Sequence, residues 1–333
     1  MSPEPGIEDK SKEVHLDIDV EGIKRGQPIG FGALKSGGFI KQRQKDLFTV
    51  RLRCPGGRVP LNRLKKVVEV CEKYGVPYVH LSFRQSLELT YVHHKHFGAI
   101  KDELAKVGQE IATCGARVRV PTACSGCEYN PNGITDTQKM AEMVDKTFFA
   151  RPEAHKFKIS FSSCAIDCAR TNEMDLGFQG AMKVKWEKEP CIGCRLCAKA
   201  CLEGAIESDP KTGKPIYHPE KCLYCGDCVR SCPTDAWQPE KIGWMVRSAG
   251  KHGRHPVNGH KIAEFVPDEM VPKIIEAVLE WYEKNGKGRG RIRICTILQE
   301  KGKWSNFIVH LRPVLGEYAV SNPRPPEPNE IHF

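Results

Sequence analysis

The segment FTVRLRCPGG reads as a strand that ends in a turn at Pro55-Gly56-Gly57. In LNRLKKVVEVCEKYG, Leu61, Leu64, Val67, Val68 and Cys71 recur at helical spacing, and Gly75 is placed to stop the helix. YVHLSFRQSLELTYV reads as one or two strands and HFGAIKDELAKVG as a second helix. This β-α-β-β-α order predicts a small α+β sandwich over residues 45–110. Residues 1–44 are Gly-rich and weakly patterned, and are expected to wrap over the surface.

A second α+β unit is expected over residues 111–183, resuming at 241–333. Its first part holds RVRVPTACSGC, a helix in TDTQKMAEMVDKTFF and a strand in KFKISFS that runs into SSCAIDC. Its second part holds a strongly amphipathic helix in VPDEMVPKIIEAVLEWYEKNG, and RIRICTILQ and NFIVHL read as strands. The Pro-rich tail SNPRPPEPNEIHF is expected to be extended. Residues 184–240 form a distinct insert.

With 333 residues the chain is long enough for two or three domains with proper cores, so its 16 cysteines are not needed as disulfide staples. The N-terminus has no apolar signal-type run, and no stretch approaches the roughly 20 apolar residues that span a bilayer. A soluble, cytoplasmic protein is expected, in which clustered cysteines bind metal. The net charge of +10 is spread along the chain without a recognisable nucleic-acid reader, so no nucleic acid is expected. An anionic cofactor or oxyanion substrate is the remaining specific reason for it.

CIGCRLCAKAC places Cys191, Cys194, Cys197 and Cys201 in C-x2-C-x2-C-x3-C spacing, and CLYCGDCVRSCP repeats it with Cys222, Cys225, Cys228 and Cys232. In this bacterial ferredoxin pattern three cysteines hold one [4Fe–4S] cluster and the fourth holds the other. Cys191, Cys194, Cys197 and Cys232 are therefore expected on one cluster, and Cys222, Cys225, Cys228 and Cys201 on the second. Zinc favours paired knuckles over such triplets. Two clusters in one small module make a wire for electrons.

Of the remaining cysteines, Cys164 and Cys168 form a C-x3-C pair after a strand, and Cys124 and Cys127 form ACSGC. These four could hold a third metal centre, with zinc as the alternative to iron–sulfur. Cys54, Cys71, Cys114 and Cys295 lie in apolar patterns and read as small core residues. Near the cysteine pairs stand Arg84 in a strand-like run, Arg117 and Arg119 before Cys124, and Lys156 and Lys158 at strand period. Each alone reads as a solvated charge. Together they would make a cage for an anion at a metal centre.

In this order, RLRCPGG, HLSFRQSLEL, GARVRVPTAC, HKFKISFSSCAIDC and SAGKHGRHP resemble the sirohaem-containing sulfite and nitrite reductases over about residues 40–320. The ferredoxin insert, the length and the layout resemble the dissimilatory-type and anaerobic sulfite reductases, and their catalytic subunit in particular. The resemblance implies a ferredoxin-like half-domain, a sirohaem/[4Fe–4S] α+β domain and an inserted 2[4Fe–4S] module. It implies a sirohaem coupled to a third [4Fe–4S] cluster held by Cys124, Cys127, Cys164 and Cys168, with Cys168 bridging to the sirohaem iron. Arg84, Arg119, Lys156 and Lys158 match the family's anion-binding residues. Arg117, Arg247, Lys251 and Arg254 are implied as partners of the cofactor carboxylates.

The implied reaction is the six-electron reduction of sulfite to sulfide; nitrite reduction at the same centre, or a non-catalytic electron-transfer or assembly role without sirohaem, are the alternatives. One departure bears on the ligand set. The family spacing before C-x3-C is C-x5-C, but Asn130 stands at that position and a cysteine occurs at Cys127. Either Cys124 and Cys127 both ligate, or one does and Cys114 is the reserve. One half-domain copy implies pairing with itself or a paralogue, since the family's anion site draws on two. GQPIGFGALKSGG lacks the strand–turn–helix context of a dinucleotide site. Electrons are expected from iron–sulfur and flavin/NADH-type subunits or a ferredoxin.

Overall fold

The computed structural model describes residues 31–327; the expected wrapping segment up to residue 30 and the last residues of the tail lie outside them. After α1 (Phe31–Ser36), β1 (Phe39–Lys41) and β2 (Leu47–Arg51), α2 (Leu61–Lys73) crosses to β3 (Val79–Leu81) and β4 (Leu87–His93), and α3 (Phe97–Ala105) closes the unit. The four strands form an antiparallel sheet in the order β1-β2-β4-β3. Val50, Leu52 and Leu89 from the sheet meet Val67, Val70, Ile100 and Leu104 from the helices in its core.

The buried face of α2 is Val67, Val70 and Cys71, whereas Leu61, Leu64 and Val68 face outward, Leu61 at 73% exposure. The apolar stripe expected from spacing is thus only partly the core face. A helix lying on a sheet buries a narrow strip, and single exposed apolar residues cost little. Gly75 adopts φ +66°, and the next amide closes back onto Cys71 O at 2.8 Å, so the chain turns off the helix there.

The second unit begins with β5 (Thr122–Ala123) and α4 (Thr137–Phe148), whose N-cap Asp136 accepts from Lys139 N. β6 (Ile159–Ser162) and β7 (Leu176–Trp186) follow. The chain then leaves the sheet through α5 (Leu196–Ala200), β8 (Ile206–Ser208), β9 (Pro215–Tyr217) and α6 (Asp227–Arg230), and returns in β10 (Trp237–Ser248). Trp237 pairs with Trp186, so residues 187–236 form the tip of one long β7–β10 hairpin. β11 (His260–Val266) completes a five-stranded mixed sheet, β11-β10-β7-β6-β5, with β5, β6 and β7 parallel. The tip has its own small core of Val184, Cys197, Ile206, Cys228 and Trp237.

On the large sheet Phe161 stacks on Phe178 at 5.0 Å, and Trp244 meets both edge-on. The covering helices are α7 (Val271–Gly286), α8 (Ile294–Leu298) and α9 (Lys303–Leu315). RIRICTILQ and NFIVHL, expected as strands, lie largely in α8 and α9. Their β-branched residues favour strand locally, but tertiary packing overrides that preference. Trp304, Phe307, Ile308, Leu311 and Leu315 repeat every three or four residues and are buried, while Val309 between them is 64% exposed. Trp281 Nε1 donates to Asn306 Oδ1 at 2.9 Å, tying α7 to α9. Among the described residues no helix is long and apolar enough to cross a membrane.

Candidate functional site

A cavity of about 850 Å³ opens between the two units. Arg51 and Arg84 reach it from the first unit, and Arg119, Lys156 and Lys158 from the second. All four residues proposed for anion binding, Arg84, Arg119, Lys156 and Lys158, therefore line one space. Arg84 sits in the tight β3–β4 turn, closed by Ser82 N on Ser86 O at 2.9 Å. One end of its guanidinium donates to Val120 O at 2.5 Å, while its buried Nε has no partner. Arg119 donates to Gly115 O at 2.8 Å, and its buried Nε is likewise unpaired. Burial, then neighbouring Arg119 and Arg51, lowers the Arg84 pKa to about 9.

The next residue in that turn joins the units. Gln85 Nε2 donates to Ala123 O at 2.6 Å, and Ala123 N donates to Gln85 Oε1 at 2.9 Å. Gln85 adopts φ +61°, the left-handed region, which turns its amide across to β5. A lone Gln in a strand-like run gives no hint of this in sequence.

Lys158 directly precedes β6, and its N–H donates to Asp175 Oδ2 at 2.9 Å. Burial, with Arg84 and Arg293 nearby, depresses the Lys158 amine to about 8. Lys156 is lowered by burial and by Arg293 and Arg119, and His155 falls to about 4 through burial and Lys156. Crowded cations that disfavour one another's charge are a site for an anion, whose arrival would relieve them. Arg51 is a further cation that the sequence did not single out: its Nε donates to Glu88 Oε1 at 2.6 Å and its Nη1 to Cys114 Sγ at 3.3 Å. Cys114 thus lines the basic cavity.

Arg117, Arg247, Lys251 and Arg254 do not line this cavity. Arg117 donates to Ala150 O at 2.9 Å. Arg247 bonds Gln179 Oε1, and Gln179 donates to Cys164 O at 3.3 Å, so Arg247 approaches the cysteines. Lys251 is held in a backbone pair with Val257, and Arg254 is exposed in the turn between them.

Parallel β5 and β6, with Ala123 opposite Phe161, deliver Cys124 and Cys164 just beyond their adjacent ends. Cys124 Sγ accepts from Ser163 N at 3.1 Å. Burial raises the Cys164 pKa, a backbone N–H from Ile166 opposes this, and the thiols of Cys124 and Cys168 beside it raise it further. Cys127 is exposed on the turn after Cys124, its N–H on Thr135 O at 3.3 Å. Asn130 forms a local turn farther along that loop, its Oδ1 accepting from Asn132 N at 3.0 Å.

In the hairpin tip, Cys191, Cys194, Cys197 and Cys232 line one void. Cys222, Cys225, Cys228 and Cys201 line a second, of about 420 Å³, whose wall also includes Cys164, Ala165 and Ile166. α5 carries Cys197 toward one void and is capped by Cys201 on the other; α6 carries Cys228 toward the second, and Cys232, two residues past its end, lies on the first. The two loops repeat a conformation as well as a spacing. Gly193 and Arg195 have φ +70° and +66°, and the equivalent Tyr224 and Gly226 have φ +58° and +79°. Burial raises the thiol pKa of Cys225 to about 11 and, together with Cys225 and Cys222, that of Cys228 to about 12. Such thiols become thiolates only against a strong local positive charge, which bound metal would supply. Among the described residues no three Cys, His, Asp or Glu side chains close on one point as a single ion needs; the tip thiols stand around voids instead.

Residues 114–316 match the family model described as the nitrite and sulphite reductase 4Fe-4S domain, and residues 40–107 match the nitrite/sulfite reductase ferredoxin-like half domain. The chain is 29% identical over 279 residues to the coenzyme F420-dependent sulfite reductase of Methanocaldococcus jannaschii, covering 84% of this chain but only 44% of that protein. It is 28% identical over 276 residues to one subunit of the anaerobic sulfite reductase of Salmonella typhimurium, covering 78% of this chain and 81% of the relative. Among solved structures, dissimilatory sulfite reductase I superposes with a TM-score of 0.66 at 20% identity, over 86% of this chain and 73% of the other. The NirA protein of Mycobacterium tuberculosis gives 0.60 at 15% identity, over 90% and 49%.

Proposed function

Because the chain belongs to the nitrite and sulphite reductase 4Fe-4S domain family, we propose that it is the catalytic subunit of a sulfite reductase, reducing sulfite to sulfide with six electrons. The observation that carries this reading is the convergence of Arg84, Arg119, Lys156 and Lys158, from two units, on one cavity. A protein that only passed electrons would have no use for such a cage.

The cavity's size, its cationic wall and the unpaired Nε atoms of Arg84 and Arg119 fit a sirohaem, whose periphery is rich in carboxylates. Cys124, Cys164 and Cys168, with Cys127 from the adjoining turn, would hold the linked [4Fe–4S] cluster, Cys168 being the candidate ligand to the sirohaem iron. When bound, this pair would supply the electrons that reduce the sulfur. The chain's own residues do the rest. Arg84 and Arg119 grip the oxyanion through planar donor forks. Lys156 and Lys158 stabilise it and donate protons as its oxygens leave as water. A Lys158 amine near 8 suits that task, being charged at neutral pH yet ready to give up its proton.

The tip holds two more [4Fe–4S] clusters in this reading, with the ligand sets that line its two voids. The void of Cys222, Cys225, Cys228 and Cys201 abuts Cys164, which supports a wire running from the tip to the catalytic centre. Electrons would come from an iron–sulfur or flavin/NADH-type partner subunit or a ferredoxin; that the Salmonella relative is named as a subunit supports such a partner. Pairing with a second copy or a paralogue, and a cytoplasmic location, belong to the same reading. Nitrite is the competing substrate, since the family model spans both activities and the cavity suits either anion.

Anaerobically prepared protein is expected to show a tetrapyrrole absorption band, iron for three cubes, about twelve atoms, plus the sirohaem iron, and viologen-driven sulfite turnover above that of nitrite. Cluster iron without the band and without turnover would remove the reductase reading. Faster nitrite turnover would reassign the substrate.

A further inference from the structure

The most tightly built polar group beside the cavity is an ion pair behind it. Asp175 is fully buried, and Arg293 nearly so. Arg293 Nε and Nη2 donate to Asp175 Oδ1 at 2.9 and 2.7 Å, and Nη2 also reaches Oδ2 at 2.6 Å. Asp175 Oδ2 accepts the Lys158 N–H as well, at 2.9 Å. The aspartate is itself anchored, because its carbonyl accepts from Ser248 Oγ at 3.1 Å and Ala249 N at 3.2 Å. The topology makes this possible. Lys158 and Asp175 directly precede the parallel neighbours β6 and β7, paired from Ile159 and Leu176 onward. Arg293 comes from the N-terminal end of α8.

A buried ion pair is a poor device for stability alone, since desolvation offsets most of its attraction. Its location suggests another use. Besides burial, the Lys158 amine feels the charges of Arg84 from the first unit, Arg293 at the start of α8 and Lys156 two residues before it, all disfavouring its proton, with Asp175 as the opposing charge. We propose that Asp175, clamped by Arg293, is the positioning residue for Lys158: it fixes the strand end that carries the lysine and screens the amine from Arg293. This rests on the reading of Lys158 as a proton donor in the cavity.

The sign of the effect follows from charge. Without the carboxylate, Arg293 acts on Lys158 unscreened, so the ammonium loses its proton at lower pH. Removing both charges takes away the screen and the cation together.

The test compares Asp175→Asn with the double variant Asp175→Asn/Arg293→Met in the anaerobic holoprotein. Competitive acetylation of Lys158 across pH, read by peptide mass spectrometry, titrates the amine without turnover; kcat and KM for sulfite are measured alongside. Asp175→Asn should move the Lys158 titration to lower pH and lower kcat more than KM changes. The double variant should return the titration to the wild-type pH or above it. A titration unmoved in Asp175→Asn, or displaced equally in both variants, overturns the proposal. If Asp175→Asn does not fold, the double variant decides: a titration still below that of wild type refutes screening. Wild-type protein that titrates as described but turns over no sulfite would instead count against the reductase reading, leaving the positioning of Lys158 intact.

Discussion

The hairpin tip and the basic cavity are assembled by opposite means. All eight tip cysteines lie between Cys191 and Cys232, and two loops with one repeated conformation bring them to two voids. The cavity takes Arg84 from a turn of the first unit and Arg119 and Lys158 from the second, and it is backed by Arg293 from beyond the insert. Thiolate ligands on a short loop need only the right spacing and a few left-handed residues. An anion cage needs charges on several sides of a space, so separate elements must be folded against one another and held there. The tip should therefore lose one ligand set at a time, while the cavity should respond to changes far from it.

The sharpest way to break that contrast is at the crossed ligands. Cys201→Ser should lose the second tip cluster, about four iron atoms per chain, while Cys232→Ser should lose the first; electron paramagnetic resonance would show two different missing signals. The same signal missing from both would undo the crossed assignment. Next in size, Lys158→Met should keep iron and tetrapyrrole content but lower sulfite turnover by about 10²–10⁴-fold, the range for a positioned acid. Full steady-state activity would remove Lys158 from the mechanism.

Gln85→Ala probes the cavity's dependence on distant joints. It leaves Ala123 without both hydrogen bonds of the clamp, and should cost about 1–3 kcal/mol in denaturant unfolding, with KM for sulfite raised. An unchanged KM would mean that the units stay aligned without it. Within a unit of pH 8 the effect of pH is smaller still. Lys158 is depressed to about 8, so its ammonium is present below that value and lost above it. kcat/KM for sulfite, which reports the free enzyme, should fall about ten-fold per unit above pH 8, as expected for one required proton; a profile level from pH 8 to pH 10 would exclude the lysine as donor.

Much of the fold was legible from pattern. The β-α-β-β-α unit and the amphipathic α7 were readable because each buries a face whose period shows in a short window, and the insert because its cysteine spacing repeats. α8 and α9 were not legible because Ile, Val and Cys favour strand locally, and the repeat that marks a helix runs from Trp304 to Leu315, beyond the short segment NFIVHL. The exposed stripe of α2 misled for the opposite reason: spacing reveals a helix but not which side meets the sheet.

By itself, the sequence determined the elements of the first unit, the two cysteine repeats and the residue types an anion cage requires, because spacing along a chain dictates local geometry. Only the tertiary structure decided that the second void abuts Cys164, that Arg51 lines the basic cavity with Asp175 and Arg293 behind it, and that Gln85 joins the two units. Asp175 and Arg293 are 118 residues apart, and no local pattern links them. What pairs them is the cost of leaving either charge alone in a closed interior, and that cost exists only once the interior has formed.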